Sequence, residues 1–190
     1  GRLLQVSLQG VITPIVDVAA YESANNPEPT RADSNVFGLE ILSNRAVMTD
    51  AGGNTLLQID PSLAVSTLAV FPPRLVPGPG GTDIPMESVP TSIAEGPDGS
   101  LYVGELTGFP FPVGGARVYR VPAAGGTPVV VATGFTNIID IAIGANGAAY
   151  VLEHDANGLL APGSVGRLTK IGLFGSRTEL AAGLLVAPGK

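Results

Sequence analysis

Two segments of the chain share nearly the same sequence pattern, and this repeat constrains the fold more than any other feature. Residues 91–105 and 139–153 each contain an apolar run, a glycine-containing turn, and a second run that passes through Tyr-Val to a glutamate. The two glutamates, at positions 105 and 153, are 48 residues apart. Repetition at such a spacing is typical of repeat architectures, and the strand–turn–strand pattern predicts antiparallel sheets.

The composition agrees with an all-β chain. The sequence contains 26 Gly and 17 Pro, which separate short apolar runs, and this rhythm is typical of a sandwich, barrel or propeller. The chain is 45% hydrophobic and only 14% charged, against roughly 25% charged in ordinary soluble domains. No apolar run approaches the roughly 18 residues of a membrane span, so the apolar residues are assigned to strands.

Charge and cysteine content exclude several classes of function. The net charge is −6, and the ten Lys and Arg form no basic cluster that would neutralise phosphates, which argues against nucleic acid as a partner. The chain has no cysteine, so disulfides, thiolate metal sites and a cysteine nucleophile are excluded.

A second element, an outer pair of strands, alternates with the repeated inner pair. Inner pairs are predicted at 37–50, 91–105 and 139–153, and outer pairs at 4–16, 57–69, 118–131 and 166–180. Four antiparallel strands in roughly 40–50 residues describe one blade of a β-propeller. The expected organisation is a half blade followed by three full blades, with boundaries at 1–20, 35–71, 90–133 and 137–182.

Propellers close with about four to eight blades, so three and a half blades do not complete an ordinary ring. We therefore expect either further blades of a longer chain or association between copies. The largest interruption, 71–89, is rich in proline and is expected to be a surface loop or a functional one. Residues 21–34 are expected to be a similar connection.

Four segments resemble the ScyD/ScyE family: DSNVFGL at 33–39, DAGGNTLL at 50–57, GELTGFPFPVGGARVYR at 104–120 and ATGFTNIID at 132–140. The resemblance covers essentially the whole chain, and Gly-Phe-Pro-Phe-Pro is its most specific part. It implies a six-bladed propeller of the NHL or lactonase type and an exported protein. Some members of the family are associated with biosynthesis of the sunscreen scytonemin.

The chain departs from that family at three turns, 43–45, 62–64 and 172–175. Leu63, Leu173 and Phe174 then fall at hairpin tips on one face of a propeller. Exposed apolar residues at such tips are unusual in a monomer, so we expect this face to pack on another copy.

Candidate metal ligands follow from the blade register. Asp50, Glu105 and Glu153 each end the second inner strand, and Asp140 lies near the start of a first one. Carboxylates converging from several blades suit Ca²⁺ or Mg²⁺, and the resemblance to lactonase-like propellers implies a metal at similar positions. The alternative is that these acids solvate strand ends or cap turns.

Other candidates lie on the same face. Asn35 and Asn137 start inner strands, and Phe109 and Phe111 form a possible aromatic platform for a ligand or, alternatively, fold over the blade edges. His154 is the only histidine and lies beside two carboxylates, so it is a candidate general base or a solvated loop residue.

Together these features predict an exported propeller that acts as a binding or scaffold module through its loop-bearing face. The first alternative is a metal-dependent, lactonase-like enzyme of small molecules at the channel mouth. The second is a structural protein that assembles through open blade edges.

Overall fold

The computed structural model describes residues 1–27, 33–173 and 175–186, and within them the regular secondary structure is almost entirely β-strand. The first elements are a hairpin and a helix: β1 (Arg2–Val6), β2 (Ile12–Asp17) and α1 (Val18–Asn25). The first sheet follows: β3 (Val36–Ile41), β4 (Ala46–Asp50), β5 (Thr55–Ile59) and β6 (Val65–Val70). A second hairpin comes next: β7 (Arg74–Pro77) and β8 (Asp83–Met86).

Two more sheets complete the described fold. The second sheet contains β9 (Pro90–Glu95), β10 (Leu101–Glu105), β11 (Ala116–Val121) and β12 (Val129–Phe135). The third sheet contains β13 (Ile138–Ile143), β14 (Ala149–Glu153), β15 (Val165–Ile171) and β16 (Arg177–Leu185). Each of the three sheets has four antiparallel strands in chain order, as the repeat predicts, and β1–β2 is the expected outer pair.

The sheets stack on one another through apolar clusters. One cluster lies between the β1–β2 hairpin with α1 and the first sheet, and includes Val18, Met48 and Leu57. A second joins the first sheet to the second through Phe71 and Tyr119, among others. A third joins the second sheet to the third. The first and second four-stranded sheets therefore each bury both faces, one against the sheet before and one against the sheet after, which is how neighbouring blades pack, whereas the third buries one face against the second.

The first strand of each sheet lies innermost, where adjacent sheets approach most closely. Strand β9 packs beside both β3 and β13, and Thr91 Oγ1 donates a hydrogen bond of 2.6 Å to the carbonyl of Ile138. Space is tight here: a Cβ on Gly104 would come within 2.6 Å of Ser92 Oγ. Glycine at this position lets the inner strands come together.

Two connections contain more structure than the sequence indicated. The prolines of 71–89 predicted a loop, but β7 and β8 form a two-stranded hairpin inside it. Residues 18–20, assigned to the half blade, and part of the following connection belong to α1. Asp17 caps this helix, since its side chain accepts a 3.0 Å hydrogen bond from the Ala20 amide. Among the described residues, no helix has the length and apolarity needed to cross a membrane.

Candidate functional site

The inner strands end on one side of the stack, which we call the loop-bearing face. It consists of the last residues of β4, β10 and β14 together with the segments that lead into β3, β9 and β13, namely 33–35, 87–89 and 136–137. The strand register brings these parts together, because Asp50 pairs with Val36, Glu105 with Pro90, and Glu153 with Ile138. Three carboxylates thus occupy equivalent positions.

All three carboxylates are buried, at 0 to 1% exposure. Asp50 accepts hydrogen bonds from Ser34 Oγ at 2.8 Å and from the Asn35 amide at 2.7 Å. The amides of Gly52 and Gly53, each 3.1 Å away, donate to the same carboxylate. Its charge is therefore stabilised by a hydroxyl and by backbone N–H groups.

Glu105 is held by a guanidinium from the preceding connection. Arg74 donates two parallel hydrogen bonds, Nη1 to Oε2 at 2.9 Å and Nη2 to Oε1 at 2.6 Å. Ser88 Oγ donates at 2.6 Å and the Tyr119 hydroxyl at 3.0 Å. Burial raises the pKa of Tyr119, and the Glu105 charge raises it further, so the phenol stays a donor.

Glu153 has a similar arrangement with a different arginine. Arg167, its cross-strand partner, donates from Nε to Oε2 at 2.7 Å and from Nη2 to Oε1 at 2.8 Å. The Thr136 amide also donates to Glu153, at 2.7 Å. The hydrogen bond to Glu153 is the main cause that raises the pKa of Arg167, so the guanidinium stays protonated.

A backbone hydrogen bond repeats beside each carboxylate. The residue after the carboxylate donates its amide to the residue just before the inner strand, at 2.9 Å in all three sheets. The pairs are Ala51 with Asn35, Leu106 with Val89, and His154 with Asn137. The carboxylate and this bond together fix where each inner strand begins.

This geometry bears directly on the metal prediction. Within residues 1–27, 33–173 and 175–186, no three His, Cys, Asp or Glu residues lie close enough together to hold a metal ion. Asp50, Glu105 and Glu153 each direct their oxygens at donors of the protein, so they do not fit a shared metal centre. Asp140 is exposed, lies within β13, and accepts a hydrogen bond from the Ile141 amide at 2.9 Å. The assignment of Ca²⁺ or Mg²⁺ stays a prediction.

His154 is half-buried at the end of β14. Among the described residues its imidazole forms no hydrogen bond. Glu153 is bound to Arg167, and Asp155 accepts the Asn157 amide through Oδ1 at 3.1 Å, while its buried Oδ2 has no partner among these residues. A general base needs an orienting group and a reacting proton within reach. No hydrogen bond of the described residues orients the His154 imidazole, and its catalytic role stays a prediction.

The candidate ligand-binding residues lie around one backbone ladder. Three hydrogen bonds tie the segment after Glu105 to the segment before β9: Leu106 to Val89 at 2.9 Å, Thr107 to Ser88 at 3.0 Å, and Gly108 to Glu87 at 2.9 Å. Phe109 and Phe111 follow the last residue of this ladder, Gly108. Their rings meet edge to face, 6.2 Å between centroids, and Phe109 is 52% exposed.

A polar cavity lies beside the same ladder, since Glu87 and Val89 line it. It has a volume of about 380 Å³ and is lined by Asp33, Ser34, Asn35, Ala51, Gly52, Glu87 and Val89. Asn35 and Glu87 are exposed there. Glu87 connects two of the predicted ligand residues. It lines the cavity together with Asn35, and its carbonyl accepts the amide of Gly108, the residue before Phe109.

Asn137 is buried beside the ladder rather than open to solvent. Its Nδ2 donates to the Leu106 carbonyl at 3.0 Å, and its Oδ1 has no partner among the described residues. Thr107 is 1% exposed, and its hydroxyl also has no partner among the described residues. Buried polar atoms without partners cost free energy. Ligand binding by Asn137 stays a prediction.

Several functional residues here were not found from the sequence. Ser34, Ser88 and Thr136 all stand two residues before an inner strand, and this repeated hydroxyl residue is a signal that the sequence does contain. Arg167 also follows from strand register, because it lies opposite Glu153. Arg74 has no such signal, since it lies in the irregular connection.

The structure describes two of the three apolar residues that the sequence places at hairpin tips. Leu63 and Leu173 are 52% and 69% exposed, whereas Phe174 lies outside the described residues. Packing of this face on another copy stays a prediction.

The comparisons with known proteins identify a fold. No protein-family model matches the chain, and no curated protein does. A chain of the nidogen/laminin complex matches with a TM-score of 0.58 at 12% identity, over 94% of this chain and 57% of that one. A gluconolactonase from Xanthomonas campestris matches with a TM-score of 0.55 at 14% identity, over 78% and 48% of the two chains.

Hydrazine synthase from Kuenenia stuttgartiensis also matches, with a TM-score of 0.52 at 16% identity, over 82% of this chain and 38% of that one. The chain therefore spans 57% or less of the length of these three structures. At such identities the likeness shows the fold alone. The chain has a β-propeller fold, with three four-stranded blades and a two-stranded outer pair.

Proposed function

We propose that this chain is part of an exported binding module, and that it binds a small polar ligand on the loop-bearing face. The ladder between 87–89 and 106–108 carries this proposal, because it ties the segment before the exposed Phe109 to Glu87 and Val89, which line a polar cavity. Binding sites commonly combine apolar surface with a few fixed polar groups. Export rests on the resemblance to the ScyD/ScyE family.

The residues that line the cavity indicate which chemical class of ligand it would bind. Glu87 and Asn35 are exposed acceptors, and the chain carries a net charge of −6. Phe109 offers an exposed, flat apolar surface on the segment that follows the ladder. These groups favour a ligand with hydroxyl or ammonium donors and one apolar face, such as a sugar or a small amine, and they disfavour an anion.

Saturation-transfer NMR with a panel of neutral monosaccharides and small primary amines tests this proposal. We expect at least one compound to bind the full chain at millimolar concentration. Phe109→Ala and Asn35→Ala each abolish its signal, since both substitutions leave the backbone hydrogen bonds in place. Val113→Ala, an exposed position in the same connection at 67% exposure, leaves the signal unchanged. A panel without a binder, or equal signals in all variants, overturns the proposal.

The nidogen/laminin match is a protein complex, and the gluconolactonase match is an enzyme, so propellers of this shape include both classes. We favour binding over metal-assisted catalysis because Asp50, Glu105 and Glu153 are each engaged with protein donors. Their hydrogen bonds support a structural role for the repeated acid.

The open face of the third sheet supports a second role, association with another blade. In the second sheet, Ala94, Tyr102, Val118 and Ala132 form part of the apolar cluster against the third sheet. Strand register makes Ala142, Tyr150, Leu168 and Ala181 their equivalents in the third sheet. These equivalents are half-buried or exposed. We propose that a second copy of the chain covers this face.

A further inference from the structure

A second cavity lies away from the polar one, on the side of the stack between the first and second sheets. We call it the side groove. It has a volume of about 780 Å³, within the usual range of small-molecule sites. Its lining includes Val70, Phe71, Pro72, Arg117, Tyr119 and Val130.

The walls of the side groove are apolar and built on rigid parts. Phe71 and Tyr119 are 1% and 8% exposed, and their rings pack 5.2 Å apart at an angle of 59°. Arg74 holds one end through its pair with Glu105. The Gly126 amide holds the other end by donating to the Leu68 carbonyl at 2.8 Å. The groove is therefore preformed.

The side groove contains one charged side chain, Arg117, that forms no ion pair or hydrogen bond within the described residues. The other arginines of the described segments form ion pairs or hydrogen bonds, whereas the guanidinium of Arg117 forms neither there. Arg117 is half-buried and lies two residues from Tyr119 in β11, so both side chains point to the same side of the sheet. An unpaired cation beside an apolar wall leaves its charge uncompensated.

We infer that the side groove binds a small organic monoanion, with Arg117 pairing its carboxylate and the apolar wall receiving a hydrophobic, preferably aromatic, body. Guanidinium groups match carboxylates with two parallel hydrogen bonds. The chain is negative overall, at −6, so a polyanion is repelled while a monoanion needs only this one cation. This site is separate from the loop-bearing face and takes the opposite ligand charge, so it does not depend on the function proposed above.

Calorimetric titration of the full chain with 2-naphthoate tests the inference. We expect saturable binding in the micromolar to low millimolar range and about tenfold or greater weakening in Arg117→Gln, as expected for a lost charge-assisted hydrogen bond. Arg120→Gln is the matched control, because Arg120 lies on the same strand but pairs with Asp98 at 2.8 Å. Naphthalene-2-carboxamide, which lacks the charge, should bind the native chain as weakly as 2-naphthoate binds Arg117→Gln.

A second pair of variants locates the site independently. Val130 lines the groove, whereas its neighbour Val131 in the edge strand β12 points away from it. Both are exposed, at 39% and 47%, so a glutamate at either position leaves the core intact. Val130→Glu should weaken naphthoate binding about tenfold or more, and Val131→Glu by less than twofold.

Three results would overturn the inference. The first is no binding of 2-naphthoate by the native chain at millimolar concentration. The second is equal weakening in Arg117→Gln and Arg120→Gln, or in Val130→Glu and Val131→Glu. The third is a carboxamide that binds as tightly as the carboxylate.

Discussion

At the scale of single residues, one position in the repeat keeps its acid but changes its partners. Asp50 is satisfied by a hydroxyl and by backbone amides, whereas Glu105 and Glu153 each take a guanidinium. The longer glutamate side chain reaches an arginine on a neighbouring segment. A buried carboxylate is tolerated only when it is paired and hydrogen-bonded, and these three meet that condition differently.

Neutralising Glu105 tests the structural role of this acid. Glu105→Gln leaves the Arg74 guanidinium without its counter-charge, and Arg74 is only 16% exposed. Removing one partner of a buried pair costs about 3–5 kcal/mol. We expect a loss at the lower end of this range in the free energy of unfolding, measured by urea denaturation.

The exposed pair between Arg120 and Asp98 is the control for that experiment. Both side chains are more than 40% exposed, at 44% and 42%, so solvent screens the pair and Asp98→Asn should change stability little. Equal losses in Glu105→Gln and Asp98→Asn would contradict a structural role specific to the repeated acid.

Tyr119 makes the stability of the folded chain depend on pH in the alkaline range. Burial, and then the Glu105 charge, raises the pKa of Tyr119 above its ordinary value of 10.0. The folded state therefore keeps a proton that the unfolded state loses, so stability falls as pH rises from about 10 through the folded pKa. Urea unfolding between pH 8 and 11.5 should show this decline. Tyr119→Phe should reduce its slope by up to about 1.4 kcal/mol per pH unit, and an unchanged slope would exclude Tyr119 as the cause.

The sequence predicted the acids at this site but not all of their partners. Glu105 and Glu153 end a repeated unit, so their equivalence is visible without a structure. Arg167 is opposite Glu153 in the strand register and is predictable once β14 and β15 are paired. Arg74 lies 31 residues before Glu105 in an irregular connection, and only the folded path of β7 brings the two together.

At the scale of elements, the residue just before β9 is strained. Val89 has φ 55°, a left-handed conformation that β-branched residues rarely adopt. Its amide donates to Asn54 Oδ1 at 2.8 Å, and its carbonyl accepts the Leu106 amide. The equivalent residue before β13 is Asn137, with φ 51°, and asparagine tolerates this conformation better.

Replacing Val89 with asparagine should therefore stabilise the chain. Val89→Asn keeps both backbone hydrogen bonds and relieves strain of about 1 kcal/mol, so we expect a higher melting temperature by differential scanning calorimetry. Val131→Asn in β12 is the control, and it should lower the melting temperature because asparagine disfavours strands. A lower melting temperature in Val89→Asn would contradict strain at this position.

The sheets were predictable from the sequence because the apolar runs and turns repeat, while two other elements were not. Prolines normally argue against a strand, yet Pro77 and Pro85 fit in β7 and β8 because a two-stranded hairpin has only edge strands. Helix α1 has eight residues and little apolar periodicity. Its one local signal is Asp17, a favourable N-cap.

At the scale of the whole molecule, the third sheet presents a face whose counterpart in the second sheet is a blade interface. Leu152 and Leu168 pair across β14 and β15 and are both half-buried there. Burying such a face on another blade is favourable in proportion to the apolar area removed from water. We expect association of the chain in solution.

Light scattering with size-exclusion chromatography measures this association. The double variant Leu152→Ser/Leu168→Ser should lower the molecular mass toward that of one chain, 19.2 kDa. Leu173→Ser removes an apolar residue from a hairpin tip and should have a smaller effect, because a single tip buries less area than a sheet face. A native chain that is monomeric at high concentration would contradict self-association.

The central claim is that the repeated carboxylates hold the inner strands of the propeller and do not bind a metal, so that ligands are bound by the loops. Calorimetric titration of the full chain with Ca²⁺ and with Mg²⁺ tests it most directly. We predict no saturable heat up to millimolar metal. Stoichiometric binding that is lost in a folded Glu105→Gln/Glu153→Gln variant would contradict this account and favour a metal site at the end of the inner strands.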